Sequence, residues 1–272
     1  MTLEPGSLHI GTMGWTYRDW HGSFYPRDAD RKVLLQHYAR VFDALEIDST
    51  FHFIPRPEVV TSWHDRTPGT FRFTAKLPGE ITHERGLVDT EDLLTPFLAS
   101  MALLGERLGC LLVQLPPGFQ HNTETFSRVE TFLKLLPASD FRFAFEFRHG
   151  SWIKPEVFDL LRTHGVAWTM QDHPKIMPIV PEITADFTYI RWMGNTEDPR
   201  IGHFRESVVD RTQELIKWAE RLKRDILPRV DTLYGFFNNY YSGHSPADCN
   251  RMKRLLGLDT ATPDFDRQLS LF

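Results

Sequence analysis

Every second residue between Phe141 and Arg148 is a phenylalanine. Phe141, Phe143, Phe145 and Phe147 fall on one parity, and Arg142, Ala144, Glu146 and Arg148 on the other. A period of two is that of a β-strand. Four phenylalanines on one face need a covering layer, most simply helices. The opposite face, with a carboxylate and a guanidinium two residues apart at the strand's end, must then open into an enclosed polar space.

The same reading extends along the chain. Leu8 to Gly14 is a short strand ending in glycine, and Ala44 to Thr50 and Phe71 to Leu77 are the second and third. Cys110 to Pro117 is nearly all apolar, as a strand buried on both faces should be. After the Phe141 strand come Val166 to Asp172, Phe187 to Gly194 and Thr232 to Asn239. Helical spacing lies between them: Leu34, Leu35, Tyr38, Val41 and Phe42 behind an Asp30 cap, a short helix from Pro57, and one near 90–107 kinked at Pro96. Further helices are predicted at about Thr123 to Leu136, Pro155 to His164, Arg205 to Ile226, and after a Ser245 cap with Pro246 at its first position. The segment with Pro174, Pro178 and Pro181 is too rich in proline for a long helix, so one crossover should be irregular.

Eight strands separated by helices, with no hairpin signal, imply parallel pairing and right-handed crossovers. The fold class is therefore α/β, a single (β/α)8 TIM barrel with its helices outside. A doubly wound open sheet is the competing arrangement, but no glycine-rich dinucleotide turn follows the first strand. Residues 1–257 are assigned to the barrel and 258–272 to a C-terminal tail.

Composition changes little: 41% hydrophobic and 25% charged residues are ordinary for a globular protein. Cys110 and Cys249 show neither metal nor redox spacing, which predicts a reduced protein. The N-terminus shows no signal peptide and no apolar run reaches membrane-span length, so a cytoplasmic location without membrane association is expected. A net charge of −5 supplies no global field for nucleic acid, leaving that partner open. Walker, nucleophile-elbow and zincin motifs are absent, which removes the main support for kinase, serine hydrolase and zincin readings. The sequence names no cofactor.

Side chains at the C-terminal strand ends line the active site in barrels of this class. Those ends carry Glu46, Asp48, Lys76, Gln114, Glu146, Arg148, Asp172, Arg191 and Asn238. One reading makes Glu146 an acid/base group with Asp48 or His149 as partner. Lys76 is a further catalytic candidate or, with Arg148 and Arg191, a holder of a carboxylate or phosphate. Glu46, Gln114, Asn238 and Trp15 are then substrate-binding candidates. The bland alternative is a self-neutralising ionic network filling the mouth. His83 and His149 fit acid/base or capping roles, while Trp15, Tyr17 and Trp152 fit ring stacking or core packing. A metal site from Glu46, Asp48, Glu146 and a histidine is disfavoured, since three adjacent cations compete for the carboxylates. The function read from this is an enzyme acting on a small polar or anionic substrate, with a non-catalytic ligand-binding barrel as a further reading.

Several stretches together resemble the YecE-like family (domain of unknown function 72). They are IGTMGWTYRDWHGSFYP, LEIDSTF, FTAKLP with ITHERGL, LVQLPPGF, FAFEFRHGSW, TADFTYIRWMG and YGFFNNYYSGHSPADCN. They span nearly the whole chain. The resemblance implies a (β/α)8 barrel and transfers no catalytic role. The final residues, Gln268-Leu-Ser-Leu-Phe272, also resemble the peptide by which bacterial replication and repair proteins dock on the sliding clamp. In that reading Leu271 and Phe272 anchor in an apolar pocket while Gln268 hydrogen-bonds at its rim, with affinity on the order of micromolar.

Overall fold

A computed structural model describes residues 8–261. Eight parallel strands close into one barrel in sequence order: β1 (Leu8–Met13), β2 (Ala44–Ile47), β3 (Arg72–Lys76), β4 (Leu108–Gln114), β5 (Phe143–Glu146), β6 (Ala167–Asp172), β7 (Phe187–Trp192) and β8 (Thr232–Phe237). The seam joins β1 to β8, with Leu8 opposite Leu233 and Thr12 opposite Phe237. Outside lie α1 (Leu34–Ala39), α2 (Pro57–Asp65), α3 (Glu91–Ala102), α4 (Thr123–Leu135), α5 (Pro155–Thr163), α6 (Thr212–Arg221) and α7 (Ser245–Leu256). The proline-rich crossover from β6 to β7 forms no helix, as its composition predicts. No described helix is long and apolar enough to cross a membrane. The Gln268, Leu271 and Phe272 docking peptide lies outside the described residues.

The parity of each strand sorts its residues into two apolar layers. Phe143, Phe145 and Phe147 join the outer core under the helices, where Phe145 meets Phe132 of α4 at 6.2 Å between ring centroids. The opposite parity fills the barrel with Ala44, Cys110, Leu112, Ala144, Ala167, Phe187, Tyr189, Tyr234 and Phe236. Small residues on β2, β5 and β6 leave room for the large rings of β7 and β8. Gly109 belongs to the same fit, since a Cβ there would stand 2.6 Å from the Tyr234 ring.

Several boundaries differ from the sequence expectation. The long helix expected from Arg205 begins only at Thr212 and passes into a π-helical turn at Leu222–Ile226. The amides of Val208 and Val209 donate instead to the Ser242 carbonyl, at 2.8 and 2.9 Å. Asp210 then takes the Thr212 amide at 2.9 Å, so the helix starts there. Ser245 is not a cap but the first helical residue; its amide and hydroxyl both donate to Asn239 Oδ1. The expected strand start at Phe141 moves to Phe143, and α3 ends at Ala102, short of the expected 107.

Candidate active site at the C-terminal mouth

Arg191, near the end of β7, is the centre of the mouth. Its side chain is 2% exposed and lies between two carboxylates that are fully buried. Nε and Nη2 donate to Glu46 at 3.1 and 2.7 Å, and Nη1 donates to Glu146 Oε2 at 2.8 Å. Glu46 stands on β2 and Glu146 on β5, so one guanidinium ties three strands that are not neighbours in the sheet. Asp48, just beyond β2, comes to 3.7 Å of Arg191 Nη2 and remains 42% exposed. Arg148 follows β5 and donates from Nε to the other oxygen of Glu146 at 2.6 Å.

Burial alone would raise the Glu146 carboxyl, but Arg191 and Arg148 outweigh it and hold it at about 2. Glu146 is therefore a permanent anion near neutral pH, with both oxygens engaged. A carboxylate so depressed is a weak base, because acid/base groups work best when they titrate near the working pH. In this geometry Glu146 anchors two guanidiniums, those of Arg191 and Arg148. Burial pushes the Glu46 carboxyl up, against the pull of Arg191. Arg191 itself is held well above its ordinary value because the attraction of Glu146, Glu46 and Asp48 outweighs its desolvation.

Lys76 closes β3 on the inward parity. Burial, with Arg191 close by, lowers its ammonium to about 8. Its Nζ lies 3.7 Å from the centroid of the Phe51 ring. Among the described residues no carboxylate comes within ion-pair distance of it, although Asp48 and Glu146 act on it through space. Gln114, at the end of β4, places Nε2 3.3 Å from Nε2 of His83. On the other side of that ring, Nδ1 is 2.8 Å from Thr82 Oγ1. An amide that can only donate at Nε2 makes that nitrogen the acceptor and puts the imidazole proton on Nδ1. Desolvation and the neighbouring Lys76 lower His83 to about 4, so it is neutral at pH 7.

Other candidates are placed differently. Nδ1 of His149 accepts from the Ser151 amide and caps the turn at Gly150–Trp152; among the described residues no hydrogen bond joins it to Glu146. Asp172 sits on the outward parity of β6 and accepts from Trp218 of α6 at 2.6 Å, away from the mouth. Trp15 packs edge-on against Trp63 of α2, with 5.9 Å between centroids, in the outer layer. Trp152 is fully buried and stacks on Phe147 at 4.4 Å, which is core packing. Asn238 caps the turn after β8 through the Tyr240 amide, while its Nδ2 meets Met13 Sδ at 3.5 Å, as Arg191 Nη2 does.

Two residues of the mouth go unnoticed if only strand ends are read. Tyr189, two positions before Arg191, donates to Glu46 Oε2 at 2.7 Å, and Thr74 Oγ1 is 2.7 Å from the same phenol oxygen. Because the Tyr189 hydroxyl donates to Glu46, the threonine is the donor to Tyr189. Strand parity alone would have found both, since each lies one inward step below a residue already singled out.

A DUF72 family protein of Thermotoga maritima MSB8 has a similar solved structure, with a TM-score of 0.80 and 29% identity over 92% of this chain and 99% of that one. The UPF0759 protein YunF of Bacillus subtilis (strain 168) is 27% identical over 97% of this chain and all of that protein. The UPF0759 protein YecE of Escherichia coli (strain K12) is 37% identical over 142 residues, 52% of this chain. That match spans about half of the curated relative's length, 48%. With the family model described as Protein of unknown function DUF72 matching residues 9–269, the chain belongs to the DUF72 family.

Proposed function

We propose that the C-terminal mouth is an active site for proton transfer on a small organic anion carrying a carboxylate or phosphate. The observation that carries this reading is the pair of cations facing the mouth with donors still to give. Among the described residues, Lys76 Nζ and both terminal nitrogens of Arg148 have no hydrogen-bond partner, although Arg148 Nε is fixed by Glu146. Two pre-positioned cations at the end of a buried ionic scaffold match the two oxygens of a small anion.

Roles follow from the charge states. Arg191, Glu46, Glu146 and Tyr189 form the scaffold and hold Arg148 in place. Lys76 and Arg148 bind the anionic group. Lys76, near 8, is protonated at neutral pH yet close enough to release its proton, and so serves as the acid. Asp48, half-open beside the scaffold, is the carboxylate placed to accept a proton. Gln114 and His83 supply neutral hydrogen-bonding groups beside Lys76.

The test is a thermal-shift and calorimetric screen of small carboxylates and phosphates on wild type, Lys76→Met and Arg148→Ala. Stabilisation of the native state by a bound anion should appear in wild type and vanish in both variants. Equal shifts in all three proteins, or none in wild type, overturn the reading.

A further inference from the structure

We infer that the anion bound at the mouth is one end of a longer molecule whose other end is an apolar ring or branched hydrocarbon. This rests on the mouth being an anion site, and adds a second subsite beside it. A cavity of about 440 Å³ opens between the turn after β2 and the turn after β3. That size falls within the range of small-molecule sites. Its apolar wall is Phe51, Phe53, Ile54, Pro78 and Leu93, and His83 stands in the same wall.

Phe51 and His83 line this cavity and also stand beside the mouth residues Lys76 and Gln114. The Phe51 ring carries Lys76 Nζ 3.7 Å from its centroid, and the His83 ring meets it edge-on at 4.9 Å. His83 in turn is bonded to Gln114 at the end of β4. A ligand whose anionic group reaches Lys76 therefore has the Phe51 wall beside it. Gly79 permits the arrangement, since a Cβ there would stand 2.7 Å from the Phe51 ring.

The wall is pre-formed. Glu80–Glu84 is a π-helical turn, a conformation found frequently at functional sites. Leu87 and Asp89 follow in the left-handed region, with φ of 71° and 50°. Arg85 bridges Glu80 at 2.7 Å and Asp92 at 2.6 Å across the segment. Phe53, meanwhile, leaves 59% of its surface open. A large aromatic face held toward solvent in the wall of a rigid cavity is a surface that an apolar group would cover. Glu84 also lines the cavity, and its negative charge disfavours a second anionic group there, so the ligand is anionic at one end only.

The experiment compares inorganic phosphate with phenyl phosphate, and acetate with benzoate, by calorimetry on the full chain. In wild type the ring-bearing member of at least one pair should bind roughly tenfold tighter, from partial burial of its ring. Phe53→Ser removes an exposed side chain and should abolish that advantage, leaving the phosphate or acetate affinity unchanged. Equal affinities within both pairs overturn the second subsite while leaving the anion site standing. An advantage that survives Phe53→Ser also overturns it. Binding of no probe overturns the anion site, and this inference with it.

Discussion

Arg191 and Glu46 meet side by side across the barrel interior, through two hydrogen bonds of 2.7 and 3.1 Å, with both side chains almost wholly out of water. They come from β7 and β2, strands separated in the ring by β8 and β1. Such a pair gains little net stability over well-packed apolar residues, yet losing one partner strands the other charge.

Arg191→Met should accordingly lower the unfolding free energy by about 3–5 kcal/mol, since it leaves Glu46 and Glu146 buried without their shared cation. Adding Glu46→Gln and Glu146→Gln to the same protein should recover part of that loss. Urea unfolding of the single and triple variants measures both effects. A single variant as stable as wild type would show that the cluster is hydrated.

Lys76 gives the anion site a pH signature. Its ammonium is lowered to about 8, so anion binding should weaken as pH rises through that value. Sulfate, whose charge is constant over this range, is the clean probe. Its stabilisation of wild type should fade between pH 7 and 9, that of Lys76→Arg should persist, and Lys76→Met should show none. Melting temperatures with and without sulfate at each pH provide the check.

Two buried carboxyls should bend the stability profile in opposite directions. Glu146 is held at about 2, below its ordinary 4.5, so its contribution is present above pH 4.5 and is lost as pH falls toward 2. Asp248 in α7 is raised by burial to about 7 from 3.8, although Ser242 donates to it at 2.6 Å. Between those values the folded chain keeps a proton that the unfolded chain has released, so stability falls as pH rises from about 4 to 7. Asp248→Asn should thus gain on wild type between pH 4 and 8, by about 4 kcal/mol at the limit. Parallel profiles for the two proteins would show that Asp248 is ionised throughout.

Gly194 should resist substitution. Its φ is +69°, and a Cβ would lie 2.1 Å from the Tyr240 carbonyl oxygen. Gly194→Ala should separate the loop after β7 from the turn after β8 and cost several kcal/mol, more than an ordinary surface change. Soluble yield and melting temperature report the outcome.

The barrel was legible because its strands are short, mostly apolar and set apart by helical spacing, and strand parity then placed Glu46, Lys76, Glu146 and Arg191 on the inner face. Parity also explains the errors. Asp172 stands at a strand end, but Gln171 before it takes the inward face. Tyr189 and Thr74 lie one step deeper than the strand ends. No pattern in the sequence says that Glu146 receives two guanidiniums. The segment at 205–211 has helical spacing yet is not helical, because the Val208 and Val209 amides donate to the Ser242 carbonyl, a partner distant in sequence and invisible to local spacing.

The distance along the chain between Glu46 and Arg191, 145 residues, has a consequence for synthesis. At roughly 5–20 residues per second, the ribosome makes the carboxylate about 7–30 s before its cation exists. Throughout that interval Glu46 cannot enter a dry interior as an ion, so the nascent half-barrel must keep its mouth wet or the carboxylate protonated. Completion of the ionic scaffold is thereby tied to the arrival of β7, and barrel closure waits further for β8 to reach β1.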